Sequence, residues 1–167
     1  MPGTAAGAAT WDPRARIVGY TYHIPSTSMS PTLMKGDYIM VQTTVYAFKP
    51  PATGDIIVFR FPRNKDVSFV KRVAGVAGEK AAIQDGKVFV NGKLIQESYL
   101  ANQQVVEPFS RTMEEITVPP GQLFVLGDNR DHANDSRFWG FLPVEDTVGK
   151  VVYIWAADDR KRIGSVH

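Results

Sequence analysis

Ile56-Ile57-Val58-Phe59-Arg60-Phe61 is a short, almost unbroken apolar run. Val67-Ser68-Phe69-Val70-Lys71-Arg72-Val73-Ala74-Gly75-Val76 is a second, and the polar turn Arg63-Asn64-Lys65-Asp66 separates the two. β-Branched and aromatic residues dominate both at strand length, so the pair reads as two strands, the first of them buried. The second carries two adjacent cations. Side chains alternate across a strand, which puts Phe69, Lys71 and Val73 on one face and Val70, Arg72 and Ala74 on the other. Each cation then has apolar neighbours on its own face. A lysine so placed either snorkels to water from an edge strand or is buried. Burial lowers its pKa and leaves a neutral amine able to take a proton.

The strand pattern continues outward. Ile17 to Ile24 and Asp37 to Thr44 read as strands before this pair, with a loop at Lys49 to Gly54. Ile116 to Val118, Gln122 to Gly127 and Gly149 to Ala156 extend the same core after it. Lys87 to Ile95 holds two short β-rich runs around Asn91-Gly92, the dipeptide of a type I′ hairpin, because both residues tolerate positive φ. Ala101 to Arg111 is polar and irregular. Residues 1–16 are expected to be a flexible leader, 17–78 and 117–157 a β core, 79–116 a small inserted β-ribbon with a loop, and 158–167 a C-terminal tail. No helical periodicity is convincing, and a single helical turn is expected only at Pro143 to Thr147. The class expected is mainly β with very little helix.

Composition narrows the function. The 167 residues suit one domain with a small insertion, and 44% hydrophobic against 22% charged residues allow an ordinary core. The 14 glycines and 11 prolines favour a turn-rich β protein. A net charge of +2 supplies no basic stripe for nucleic acid. The absence of cysteine excludes a disulfide framework, a thiolate metal site and a cysteine nucleophile. The histidines, His23, His132 and His167, are dispersed and form no metal-binding motif, so no metal site is expected. No apolar run reaches the roughly 18 to 20 residues of a membrane span. Met1 to Thr10 reads as a leader and not as a signal peptide, so the chain is expected to be soluble or to lie on a membrane.

Three segments hold candidate chemistry. Pro25-Ser26-Thr27-Ser28-Met29-Ser30-Pro31-Thr32-Leu33 is by composition a turn whose hydroxyls bond nearby backbone, and Ser28 is a nucleophile only if a base stands beside it. Lys71 is the second. Gly127 to Arg137, which includes Asp128, Asn129, Asp131, His132, Ala133, Asn134 and Asp135, is either a solvated charged loop or a functional loop hung on a buried strand.

Together with Gly36-Asp37 and Gly54 to Phe59, these segments match in order and context the boxes of the type I signal peptidases, and the chain resembles that family over roughly residues 20 to 156. The tail Arg162 to His167 also resembles the end of some Gram-negative members. The resemblance implies a signal-peptidase-like coiled β-sheet or partial barrel, with Ser28 as nucleophile and Lys71 as general base. It implies an oxyanion hole from the Ser28 N–H and the Ser26 hydroxyl, and a bracing set of Arg72, Asp135 and Arg137. Gly127, Asp128 and Asn129 form the turn passing close to the pair. Tyr22, Ile24, Met29, Phe69 and Val70 line shallow pockets for small side chains. The implied substrate is the signal peptide of an exported preprotein, bound extended at the outer face of the cytoplasmic membrane, with no cofactor and no nucleic acid. The oligomeric state stays open.

Two departures stand out. Where many relatives have a serine that orients the lysine, this chain has Ala133, and no membrane span precedes the first box. Trp155 and Phe138-Trp139 are candidates for an apolar rim or for core. Three alternatives remain: a conjugation- or pilin-type maturation protease of the same superfamily, a peptide-binding relative with a weakened site, and a triad of Ser28, His132 and Asp135 or Asp131.

Overall fold

The structure is a computed structural model that describes residues 19–100 and 103–167; the expected leader and the start of the first expected strand lie outside the described residues. Its architecture is mainly β, in agreement with the sequence. Ile56–Phe61 (β3) and Asn64–Val76 (β4) pair antiparallel from Ile56↔Arg72 to Arg60↔Ser68. β4 begins earlier than expected. Only Pro62 and Arg63 turn the chain, Phe61 pairs with Asn64, and the polar Asn64-Lys65-Asp66 is therefore strand and not turn. Lys65 is held there by an ion pair with Asp146.

The main sheet is completed by Gly19–His23 (β1), Tyr38–Gln42 (β2), Gln122–Leu126 (β9), Leu142–Pro143 (β10), Thr147–Ala156 (β11) and Gly164–Ser165 (β12). Its order is β1-β2-β11-β3-β4-β9-β10, with β12 added to β11. Among the described residues, the strand pairing that links hairpin β1–β2 to hairpin β3–β4 runs through β11, which pairs with β2 on one side and β3 on the other. β9 pairs with β4 only from Arg72 onward. Among the described residues, Val67 to Lys71 therefore have no partner strand on that edge, and β1 pairs only with β2.

A second sheet holds Lys80–Gln84 (β5), Lys87–Val90 (β6), Lys93–Leu94 (β7) and Met113–Thr117 (β8), in the order β7-β6-β5-β8. Asn91 and Gly92 both adopt positive φ, 51° and 74°, as a type I′ turn requires. The flanking segments add strands on the far side of β6, so the region is a four-stranded sheet and not a lone ribbon. Ala81, Ile83, Val88 and Val90 pack with Ala74, Phe124 and Leu126 of β4 and β9, which gives the two sheets one apolar cluster.

Two single-turn helices, Pro108–Arg111 (α1) and Ser136–Trp139 (α2), escape periodicity analysis because four residues contain no repeat. Asp135 caps α2 by accepting the Arg137 N–H. The expected turn near Pro143 is present as a 3-10 turn at Val144–Asp146. A second apolar cluster unites Ile24, Met29, Leu33, Ile39, Val58 and Ile154 directly under the β1–β2 connection.

Candidate active site

The β1–β2 connection is a structured turn with its own anchors. Met29 and Leu33 are fully buried, each contributing about 2 kcal/mol by burial. Ile24 N donates to Asp37 O and Gly36 N to Ile24 O, both at 2.8 Å, so the ends of the turn are tied together. The Asp37 carboxylate is buried and accepts the Met34 N–H at 2.7 Å. With Met29 pinned below, Ser28 projects from the surface of the turn toward β4.

Lys71 Nζ lies 3.0 Å from Ser28 Oγ. Lys71 is only 4% exposed, its amine donates to the Val70 carbonyl at 2.9 Å, and the Phe69 ring stands 5.3 Å away. Burial draws the amine down from 10.5 to about 8, against the opposing pull of the Asp135 and Asp128 carboxylates. The buried alternative for this lysine therefore holds over the snorkelling one. Ser26 Oγ is 3.2 Å from Ser28 Oγ, and no acceptor among the described residues takes the Ser28 N–H.

The charged residues form two pairs and not one brace. Arg72 Nε and Nη2 grip Asp128 at 2.9 and 2.8 Å, with the Tyr99 ring 3.7 Å over the guanidinium. Arg137 Nε and Nη2 grip Asp135 at 2.9 and 2.8 Å, and Asp135 also accepts the Gly127 N–H at 2.9 Å. Each pair fixes the Gly127–Asn129 turn from a different side. That turn in turn holds the serine: Asn129 N donates to Ser28 O and Asn129 Nδ2 to Thr27 O, both at 3.0 Å.

Ala133 is buried, with its methyl against the bare face of Gly127. Val70 O, not a side-chain hydroxyl, is the second partner of the Lys71 amine. The alternative triad does not assemble. Among the described residues no hydrogen bond joins His132 to Ser28, Asp131 or Asp135, and Asp131 instead accepts the Val106 and Glu107 N–H groups.

A cavity of about 430 Å³ opens beside the Ser28–Lys71 pair, and Tyr22, Ile24, Met29, Phe69 and Val70 all line it. Its walls come from β1 and from the unpaired edge of β4, and His132 and Asn134 close one part. Trp155 is 45% exposed beside Tyr38, and Phe138 is exposed beside Phe109, whereas Trp139 packs on Phe59 and Phe61.

Sequence reasoning gave no role to Thr32, Tyr99 or Arg162. Thr32 stood inside a quoted motif, and its Oγ1 donates to Asp128 at 2.5 Å. Tyr99 reaches Arg72 from the second sheet, a contact with no local sequence signal.

The family model for signal peptidase, peptidase S26, matches residues 8–156. A probable signal peptidase I-1 of Synechocystis sp. is 40% identical over 138 residues, covering 78% of this chain and 68% of that protein. Thylakoidal processing peptidase 1 of Arabidopsis thaliana is 42% identical over 141 residues, covering 78% of this chain and 40% of that protein. The crystal structure of a signal peptidase I from Enterococcus faecalis superposes with a TM-score of 0.55 at 35% identity, covering 61% of this chain and 97% of that one.

Proposed function

The chain belongs to the signal peptidase family, peptidase S26, and on that premise we propose that it is a serine endopeptidase that removes signal peptides from exported preproteins, with Ser28 as nucleophile and Lys71 as general base. The observation that carries this reading is the 3.0 Å approach of a buried, partly deprotonated amine to a serine hydroxyl in a cavity wall.

The substrate binds extended, as an added strand between β1 and the open edge of β4. Its residue before the scissile bond, and the one two earlier, point to the same side and enter the cavity between Ile24, Met29 and Val70. Shallow apolar walls favour small side chains at both positions. Neutral Lys71 accepts the Ser28 hydroxyl proton as Oγ attacks the carbonyl carbon. The oxyanion is met by the Ser28 N–H and by the Ser26 hydroxyl once it swings from Ser28 Oγ, each donor worth about 3 kcal/mol. Lys71 then protonates the leaving amine, which departs and leaves an ester on Ser28. Neutral Lys71 then takes a proton from water as its oxygen attacks the ester carbon; the Ser28 Oγ–acyl bond breaks, Oγ takes that proton back from Lys71, and the acid product leaves.

No helix among the described residues is long and apolar enough to cross a membrane. The exposed Tyr38–Trp155 pair suits contact with the lipid interface, where aromatic rings settle. In this reading the cavity works at the extracytoplasmic surface of the cytoplasmic membrane, where signal peptides emerge.

The test is cleavage of a preprotein with an Ala-x-Ala site, in detergent micelles, by the wild-type chain, Ser28→Ala and Lys71→Ala, with products read by mass spectrometry. Cleavage after the second alanine by wild type alone is expected. Near-normal cleavage by either folded variant refutes the Ser–Lys assignment.

A further inference from the structure

The turn that carries Ser28 presents a run of backbone carbonyls, and each of them from Thr27 to Thr32 meets a donor within the protein. Thr27 O accepts from Ser30 N and Asn129 Nδ2, Ser28 O from Asn129 N, and Met29 O from Leu33 N. Ser30 O accepts from Gln103 Nε2 at 2.7 Å. The next two carbonyls share a single donor side chain: Arg162 Nη1 is 3.1 Å from Pro31 O and Nη2 is 3.0 Å from Thr32 O. The same Nη2 lies 2.6 Å from Asp37 Oδ2, so one guanidinium ties the middle of the turn to the carboxylate at its end.

Arg162 can serve as an anchor because its own segment is fixed. Gly164 and Ser165 pair with Ile154 and Tyr153 of β11, Val166 N donates to Val152 O, and Val166 packs against the apolar cluster under the turn. Thr32 is then held twice. Its carbonyl goes to Arg162 and its hydroxyl to Asp128, the partner of Arg72, which neighbours Lys71 in β4.

We propose that Arg162 is a positioning residue for the nucleophile, clamping Pro31, Thr32 and Asp37 so that Ser28 Oγ rests at hydrogen-bonding distance from Lys71. The proposal rests on the Ser–Lys reading above. It needs arginine in particular, because a planar fork satisfies three acceptors at once and an ammonium does so poorly. Arg162 touches neither reacting group, so its loss acts through placement. A misplacement of about 1 Å costs on the order of 100-fold in rate.

The experiment compares wild type, Arg162→Ala and Arg162→Lys for kcat, KM, the pH profile and thermal midpoint, beside Ser28→Ala and Lys71→Ala. Arg162→Ala is expected to lower kcat by about 10- to 100-fold, with KM within about twofold and the acid limb unmoved. Added methylguanidine is expected to recover part of the loss, and Arg162→Lys to fall between. A kcat within about twofold of wild type in folded Arg162→Ala overturns the proposal, as does a loss confined to KM. A crystal structure of Arg162→Ala reads the same claim without turnover: a displaced Ser28 turn supports it, and an unmoved turn overturns it. Activity surviving in Ser28→Ala or Lys71→Ala condemns the Ser–Lys reading separately, and the crystal structure still decides the clamp.

Discussion

Gly127 and Ala133 face each other across a gap with no room for another carbon. A Cβ on Gly127 would overlap the Ala133 methyl and stand 2.6 Å from Ser28 O. The glycine is required by close approach and not by an unusual φ. Gly127→Ala is expected to destabilise the protein by about 1–3 kcal/mol, as overpacking does, and to push the serine turn away from Lys71. Activity should fall further than stability predicts, as thermal melts and cleavage rates on one sample will show. Ala133→Gly in the Gly127→Ala background relieves only the methyl clash, because Ser28 O remains.

On the proposed Ser–Lys mechanism, the Lys71 amine is expected to set the acid limb of activity. Its folded pKa of about 8 leaves most of the population protonated at pH 6 to 7. The profile of kcat/KM should rise about tenfold per pH unit at low pH and level off above about pH 8. A limb lying well below pH 8 overturns Lys71 as the group that titrates.

The same burial costs stability. Below about pH 8 both folded and unfolded chains hold the Lys71 proton, and the folded state bears the full cost of a buried charge. Between about 8 and 10.5 the unfolded chain binds more protons, so stability rises with pH through that window. Lys71→Met is expected to stabilise the protein by roughly 3 kcal/mol near pH 6 to 7 while abolishing cleavage. Denaturant melts should show the gain shrinking toward pH 10.

Arg72 and Asp128 are both buried and meet through two hydrogen bonds. Asp128→Ala strands the guanidinium under Tyr99 and is expected to cost about 3–5 kcal/mol. Replacing the pair by methionine and leucine should cost much less. A double-mutant cycle by chemical denaturation measures the difference.

How far this was legible in the sequence depends on how local each interaction is. The apolar alternation around Lys71 placed β3 and β4, and Asn91-Gly92 placed its hairpin, because strand period and turn chemistry reside in neighbouring residues. Asn64 to Asp66 misled because polar residues at a strand end resemble a turn until the pairing register is known. Ser28 and Lys71 stood out through family resemblance, since composition alone made Ser28 a turn residue. Tyr99 on Arg72 and Arg162 on Pro31 join segments far apart in the chain, and no local pattern announces them. The same holds for Val70 O, a main-chain group that supplies a partner for the lysine where the side chain at 133 has no hydroxyl.

The placement of β11 has a consequence for biosynthesis. The serine hairpin and the lysine hairpin are both translated early, yet they share no strand pairing until β11 slides between them. A nascent chain that has emerged only through Lys71 holds both reactive groups without the sheet that sets their spacing. Non-local pairings of this kind close slowly. The Ser28–Lys71 spacing therefore depends on a strand that lies about eighty residues beyond the lysine and ends at Ala156.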